Sequence, residues 1–92
     1  PKQILQTVCE YFEISEDDII SSKKNQSVAY PRQIAMYLTR RLMDMSYKAI
    51  AEFYGKSDHT TVKYAYEKIE KEITTNIETK VLVDDFIAKL RE

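Results

Sequence analysis

One glycine and two prolines in 92 residues leave this chain few places to turn. The remainder is rich in good helix formers, with 43% hydrophobic and 32% charged residues, so an all-α fold is expected. The length suits one domain with a single modest core and excludes a second folding unit. The apolar periodicity predicts a compact bundle of about six helices.

Ile4, Leu5, Val8, Tyr11 and Phe12 recur at helical spacing, with Gln6, Glu10 and Glu13 opposite, which predicts an amphipathic packing helix over 3–13. Ser15 before Glu16, Asp17 and Asp18 reads as an N-cap with acids in the first turn of a short helix through Ile19 and Ile20. Residues 21–29, with Lys23, Lys24, Asn25 and Gln26, lack apolar periodicity and read as a basic loop. Pro31 suits the first position of a helix, where its missing N–H costs nothing. Ile34, Ala35, Leu38, Leu42 and Met45 then line one face of a core helix over 31–44. Its far side carries Gln33 and Arg40 seven residues apart, with Arg32 beside them. Ser46 caps a helix over 47–54 with Ile50 and Phe53 inward and Ala51 allowing close approach, and Gly55 ends it. Ser57 or Asp58 caps the next, over 58–75, through Val62, Ala65, Tyr66, Ile69 and Ile73. Glu67 and Lys71 have the favourable i,i+4 order on its solvated side, and Glu72 before Asn76 extends that side. A break at Thr74 to Asn76 precedes a last helix over 77–90, where Val81, Phe86, Ile87 and Leu90 cover the core.

The formal net charge of −1 conceals a segregated distribution. Residues 1–20 hold one lysine against five acids, residues 21–68 nine lysines and arginines against four acids, and residues 69–92 four against six. A basic middle between acidic ends is the pattern of an electrostatic footprint on one face, since only charges near phosphate contribute to counterion release. Cys9 is the sole cysteine, so no internal disulfide forms, a reducing compartment is expected, and the side chain reads as a small buried hydrophobe. No apolar run approaches the roughly 18 residues of a membrane span, and no signal peptide opens the chain. The expectation is a soluble cytoplasmic domain. The start at Pro1 rather than Met reads as a segment of a longer protein.

Helix, short glycine-containing turn, helix is the helix-turn-helix arrangement, here over 47–54 and 58–75, whose second helix enters the major groove and meets base edges with its N-terminal residues. The residue types at that start suit the task. Asp58 can accept from a cytosine amino group, His59 can donate or accept, and Thr60 and Thr61 offer hydroxyls and methyls. The same residues serve equally as a helix cap beside an incidental surface histidine, and short helix pairs are common in all-α proteins.

The run Gly55-Lys56-Ser57-Asp58-His59-Thr60-Thr61-Val62, followed by Lys68-Ile69, resembles the signature of the C-terminal DNA-binding domain (domain IV) of the bacterial chromosomal replication initiators, the DnaA family. The run Ser27-Val28-Ala29-Tyr30-Pro31-Arg32-Gln33-Ile34-Ala35-Met36 resembles that family's basic-loop-to-helix segment, at the family's separation. Weaker similarity near Val8, Tyr11, Phe12 and Ile14, and in the last helix, extends the match to nearly the whole chain. The resemblance implies binding to double-stranded DNA at short asymmetric boxes, DnaA boxes, repeated at a replication origin. Ser57, Asp58, His59, Thr60 and Thr61 would lie in the major groove, with Thr61 contributing at the backbone. Arg32, Gln33, Arg40 and Lys48 would hold phosphates, which fixes register without encoding sequence. Lys24 would sit in the neighbouring minor groove, where a narrow A·T-rich groove attracts a cation. The family's ATPase module, and with it any ATP and any self-assembly, would lie in other parts of the parent protein, so no cofactor, metal or membrane is implied for this domain.

The sequence departs from the family pattern at four positions. Lys24 stands where an arginine is usual and lacks the planar fork. Tyr30 and Ser57 stand where basic residues are usual, and Lys56 occupies a position often glycine. Two other binding readings fit the same segment: the helix-turn-helix of a transcription regulator or transposase, and a helical protein-interaction domain using Tyr64, Tyr47 and Met43 as exposed contacts. Catalysis has little to stand on. There is one His and one Cys, no second metal-ligand cluster and no Gly-rich phosphate loop, and Asp58 adjoins His59 in sequence rather than through space.

Overall fold

A computed structural model describes all residues from Pro1 to Glu92. Six helices follow one another: α1 Lys2–Phe12, α2 Glu16–Ile20, α3 Gln26–Leu42, α4 Tyr47–Phe53, α5 His59–Thr75 and α6 Ile77–Leu90. The caps explain most boundaries. Ser15 Oγ accepts from the Asp18 N–H at 3.0 Å, Ser46 Oγ from the Ala49 N–H at 3.1 Å, and Asn76 Oδ1 from the Glu78 N–H at 2.9 Å, each satisfying an orphan donor of a first turn. Helix α1 ends at Glu13, which takes the left-handed conformation at φ 56° and directs its N–H to the Cys9 carbonyl.

Helix α3 begins five residues before the position expected from Pro31. Its first turn starts at Gln26, and the Val28 and Ala29 N–H groups both donate to the Asn25 carbonyl. Pro31 therefore sits inside the helix, where it withholds one i→i−4 bond from the carbonyl of Ser27. Ser27 is exposed, so water can serve that carbonyl and the helix runs through. The polar stretch expected to be loop to residue 29 is thus helical from Gln26, with Val28 buried as the single apolar anchor of its first turn. At the other end the helix stops at Leu42, and Met45 lies beyond it, only partly buried.

Helix α3 is the central post. Ile34, Ala35, Met36, Tyr37, Leu38 and Thr39 are all buried, so the helix is enclosed on more than one side. Its most extensive partner is α5, through Val62, Ala65 and Ile69. Helix α1 adds Ile4, Leu5, Val8 and Cys9, and α6 adds Val83, Phe86 and Ile87, to the same continuous core. Val81, expected to cover that core, is instead exposed, as is Tyr11. Helix α4 packs only on α3 and α5, which sets it apart from the acidic helices α2 and α6.

Tyr54, just past α4, is fully buried among these elements. Its hydroxyl pairs with Thr39 Oγ1 at 2.9 Å and reaches the Ala35 carbonyl at 3.4 Å, while Thr39 Oγ1 donates to the same carbonyl at 2.8 Å. The turn after α4 is thereby tied to the middle of α3. No buried side-chain polar atom lacks a partner, as close packing of such groups requires. No helix is long and apolar enough to cross a membrane.

Candidate nucleic-acid interface

Helices α4 and α5 are joined by five residues, Tyr54 to Asp58, and three devices fix the geometry of that turn. Tyr54 anchors it to the core. Gly55 takes φ 72°, a conformation open to glycine at little cost, and a Cβ there would stand 2.8 Å from Ile20 Cγ2. Asp58 closes the turn as the N-cap of α5, its Oδ1 accepting from the Thr60 N–H at 2.9 Å. The cap is Asp58 rather than Ser57. That bond to the Thr60 amide is the main reason the Asp58 carboxyl is held below its usual range, with a second contribution from the Thr60 side chain and a lesser one from nearby His59.

Ser57, Asp58, His59, Thr60 and Thr61 are all exposed, at the end of a helix whose inner face is buried from Val62 onward. The start of α5 thus projects from a rigid base, and its positive dipole end faces outward. The outer face continues with Lys63, Tyr64, Glu67 and Lys71, all exposed. Lys63 and Tyr64 lie three and four residues beyond Thr60, one turn along the same face. Sequence reasoning passed over Lys63, although the i, i+3, i+4 spacing from Thr60 was available to find it.

The remaining candidates divide sharply. Lys24 is exposed in the loop between α2 and α3, and Lys48 is exposed in the first turn of α4. Gln33 is partly buried and accepts a 2.9 Å hydrogen bond from Lys68 Nζ through its Oε1, leaving its amide N–H groups to donate elsewhere. Lys68 also pairs with Glu72 at 3.0 Å. The i,i+4 ion pair of this helix is therefore Lys68 with Glu72, not Glu67 with Lys71, and Glu72 is drawn toward α3 and α6 instead of extending a solvated face. Arg40 donates from Nη1 to the Met45 carbonyl at 2.8 Å and lies over the Tyr47 ring at 4.3 Å. It braces the entry to α4 while part of its guanidinium stays accessible.

Arg32 departs from the outward-facing position expected of a phosphate ligand. It is 8% exposed, and its guanidinium is occupied by carbonyl oxygens: Nε donates to Ile19 at 2.6 Å, Nη1 to Lys23 at 2.9 Å, and Nη2 to Ser21 at 3.0 Å and Asp18 at 3.3 Å. The reason is the helical register: position 32 lies about 100° round from Gln33, on the side of α3 that carries the buried Val28, Met36 and Thr39, and the end of α2 covers it there. Arg32 holds the basic loop from within. Tyr47, expected among exposed apolar contacts, is half-buried between Arg40 and Tyr66, whereas Tyr64 and Met43 are exposed. No group of three or more His, Cys, Asp or Glu residues comes together in a way that could hold a metal ion.

Exposed hydrogen-bonding residues at a rigid helix start, beside a lysine-bearing loop, form a surface suited to a polyanion with readable edges. Comparisons with known proteins agree with that character. A family model described as the bacterial DnaA protein helix-turn-helix matches residues 1–69. The chromosomal replication initiator proteins DnaA of a Thermoanaerobacter species and of Caldanaerobacter subterraneus subsp. tengcongensis are each 54% identical to the chain over 72 residues, which is 78% of this chain and 16% of theirs. The chain thus spans about one sixth of the length of these curated relatives. A solved structure of AMPPCP-bound DnaA from Aquifex aeolicus superposes with a TM-score of 0.72 at 32% identity, over 96% of this chain and 27% of that one. With three quarters of its length matched by that model and its helix-turn-helix intact, the chain belongs to the bacterial DnaA helix-turn-helix family.

Proposed function

We propose that this chain is a sequence-specific binder of double-stranded DNA, acting within a longer replication initiator at boxes repeated in a replication origin. The observation that carries the reading is the exposed Asp58-His59-Thr60-Thr61 segment at the start of α5, braced from behind by Tyr54, Gly55 and the Asp58 cap. In the major groove, His59, Thr60 and the uncapped edge of Asp58 meet base edges, with Ser57 and Thr61 at their margins. Gln33, Arg40 and Lys48 supply backbone contacts, and Lys24 reaches the adjoining minor groove. Arg32 is omitted from the phosphate set because its donors are spent on the loop. The domain works by binding, without catalysis or a cofactor of its own, in the cytoplasm. Nucleotide chemistry and self-assembly belong to other parts of the parent protein.

Selection of binding sites from a random duplex pool at near-physiological salt tests DNA binding, specificity and box identity together. A single short consensus is expected. Against that consensus, His59→Ala and Thr60→Ala each cost roughly 1–3 kcal/mol, and far less against random duplex. Equal losses on both would remove base reading and leave an unspecific polyanion binder.

A further inference from the structure

Helix α2 is only five residues long, so most of its carbonyls find no partner within it. Two cations from elsewhere in the chain meet them. Arg32 takes the Asp18, Ile19 and Ser21 carbonyls. Lys56 Nζ donates to the Ile20 carbonyl at 3.2 Å and, more closely, to that of Ser21. Cations at a helix C-terminus are favoured by its dipole, and here the carbonyl of Ser21 stands between two of them. Burial and the neighbouring Arg32 charge both pull the Lys56 pKa below the ordinary lysine value, consistent with an ammonium turned into the molecule.

The two cations come from different places. Arg32 belongs to α3, while Lys56 lies in the helix-turn-helix turn, between Gly55 and Ser57. The residues after Ser21 form the loop that carries Lys24. Gly55 brings the same turn against Ile20, so the ammonium closes a contact that the backbone already makes close. A glycine at position 56 would leave the Ile20 carbonyl without this partner.

We propose that Lys56 is a positioning residue that latches the Lys24 loop to the helix-turn-helix turn, so that the minor-groove arm and the recognition helix meet DNA as one unit. The inference rests on the DNA-binding reading above. It differs from a phosphate contact in what it predicts, because a latch acts on geometry at one end of the site and a phosphate contact acts on every duplex alike.

The test compares the unaltered chain with K56A and K56R by two measurements. Arg32 still holds the loop in both variants, so both fold. In the DNA-free chain, K56A should speed amide hydrogen exchange several-fold over the unaltered chain at Ser21 and Lys23, whose N–H groups bond to the Asp17 carbonyl and to Ser21 Oγ, and K56R should restore protection. On the selected duplex, K56A should lose roughly tenfold in discrimination against base pairs changed at the Lys24 end, since ordering a freed loop offsets what its contact gains. Discrimination at the α5 end and the salt slope should stay as they were. Unchanged exchange together with unchanged discrimination overturns the latch. A uniform loss on all duplexes, with the salt slope reduced by about one, also overturns it and makes Lys56 a direct phosphate ligand. If the unaltered chain selects no duplex, the DNA-binding reading fails, and the loop exchange alone decides whether the latch exists.

Discussion

Tyr54 is the residue on which the helix-turn-helix turn depends most. Its ring fills the core and its hydroxyl completes a buried triangle with Thr39 and the Ala35 carbonyl. Tyr54→Phe keeps the packing and removes one partner from Thr39, which retains its bond to Ala35. A loss of about 1 kcal/mol is expected, read as a fall in thermal midpoint of a few degrees, with the DNA-facing residues untouched. Burial raises the hydroxyl's pKa to about 12, because the phenolate is disfavoured away from water. The sign follows from linkage. A phenol whose folded value lies above its unfolded value, near 10, contributes fully below that unfolded value, and its contribution is lost as pH rises toward 12. Alkaline titration of stability should therefore show a drop above pH 10 that is diminished in the phenylalanine variant; an identical drop would assign the alkaline loss to other tyrosines. Asp58 shows how far single residues were legible. Its type allowed a cap or a base reader, and the geometry makes the alternatives compatible, because Oδ1 takes the Thr60 amide while the residue stays exposed.

At the scale of elements, the turn between α4 and α5 joins a sequence signal to a packing constraint. Gly55 was readable as a helix stop, but its contact with Ile20 was not, since nothing in the order of residues brings α2 beside this turn. Gly55→Ala forces a side chain into the left-handed region and against Ile20 Cγ2. A cost of about 2 kcal/mol is expected. The cost should be smaller in an Ile20→Ala background, where the clash is relieved and only the backbone term remains, and a double-mutant cycle on chemical denaturation measures the difference. Strict additivity would mean that the close approach carries no energy. Helices with a side-chain cap and clear periodicity, α2, α4 and α6, were legible almost to the residue. The start of α3 was not. Pro31 is a strong signal for a first turn, and it outweighed a weak one: the lone buried Val28 in a polar stretch. The helix tolerates the proline because the carbonyl it orphans lies on the exposed side.

Across the whole molecule, the surroundings of Arg32 set it apart from the other cations of the basic middle: it is buried on the carbonyls around the end of α2. Gln33 and Arg40, seven residues apart, share the outward side of α3, whereas Arg32, about 100° round from Gln33, turns under the end of α2. Cationic residues in the basic middle of the chain therefore fall into two kinds, which stability and salt dependence can separate. Arg32→Ala leaves the carbonyls of Ile19 and Lys23 without their side-chain partner in a largely enclosed place, and each such loss costs roughly 1–3 kcal/mol. A total near 3 kcal/mol is expected, lowering the thermal midpoint by on the order of 15 °C, and any weakening of DNA binding should follow the loss of folded protein. Lys48 is exposed and has no ion-pair partner within the chain, so Lys48→Ala should change stability by less than about 0.5 kcal/mol. On DNA it should weaken specific and random duplexes alike and reduce the salt slope by about one. Thermal melts and affinities at several salt concentrations, measured on both variants, decide the matter. A stable Arg32→Ala protein with a flattened salt slope would return Arg32 to the phosphate backbone and require its guanidinium to leave the carbonyls of the loop on binding.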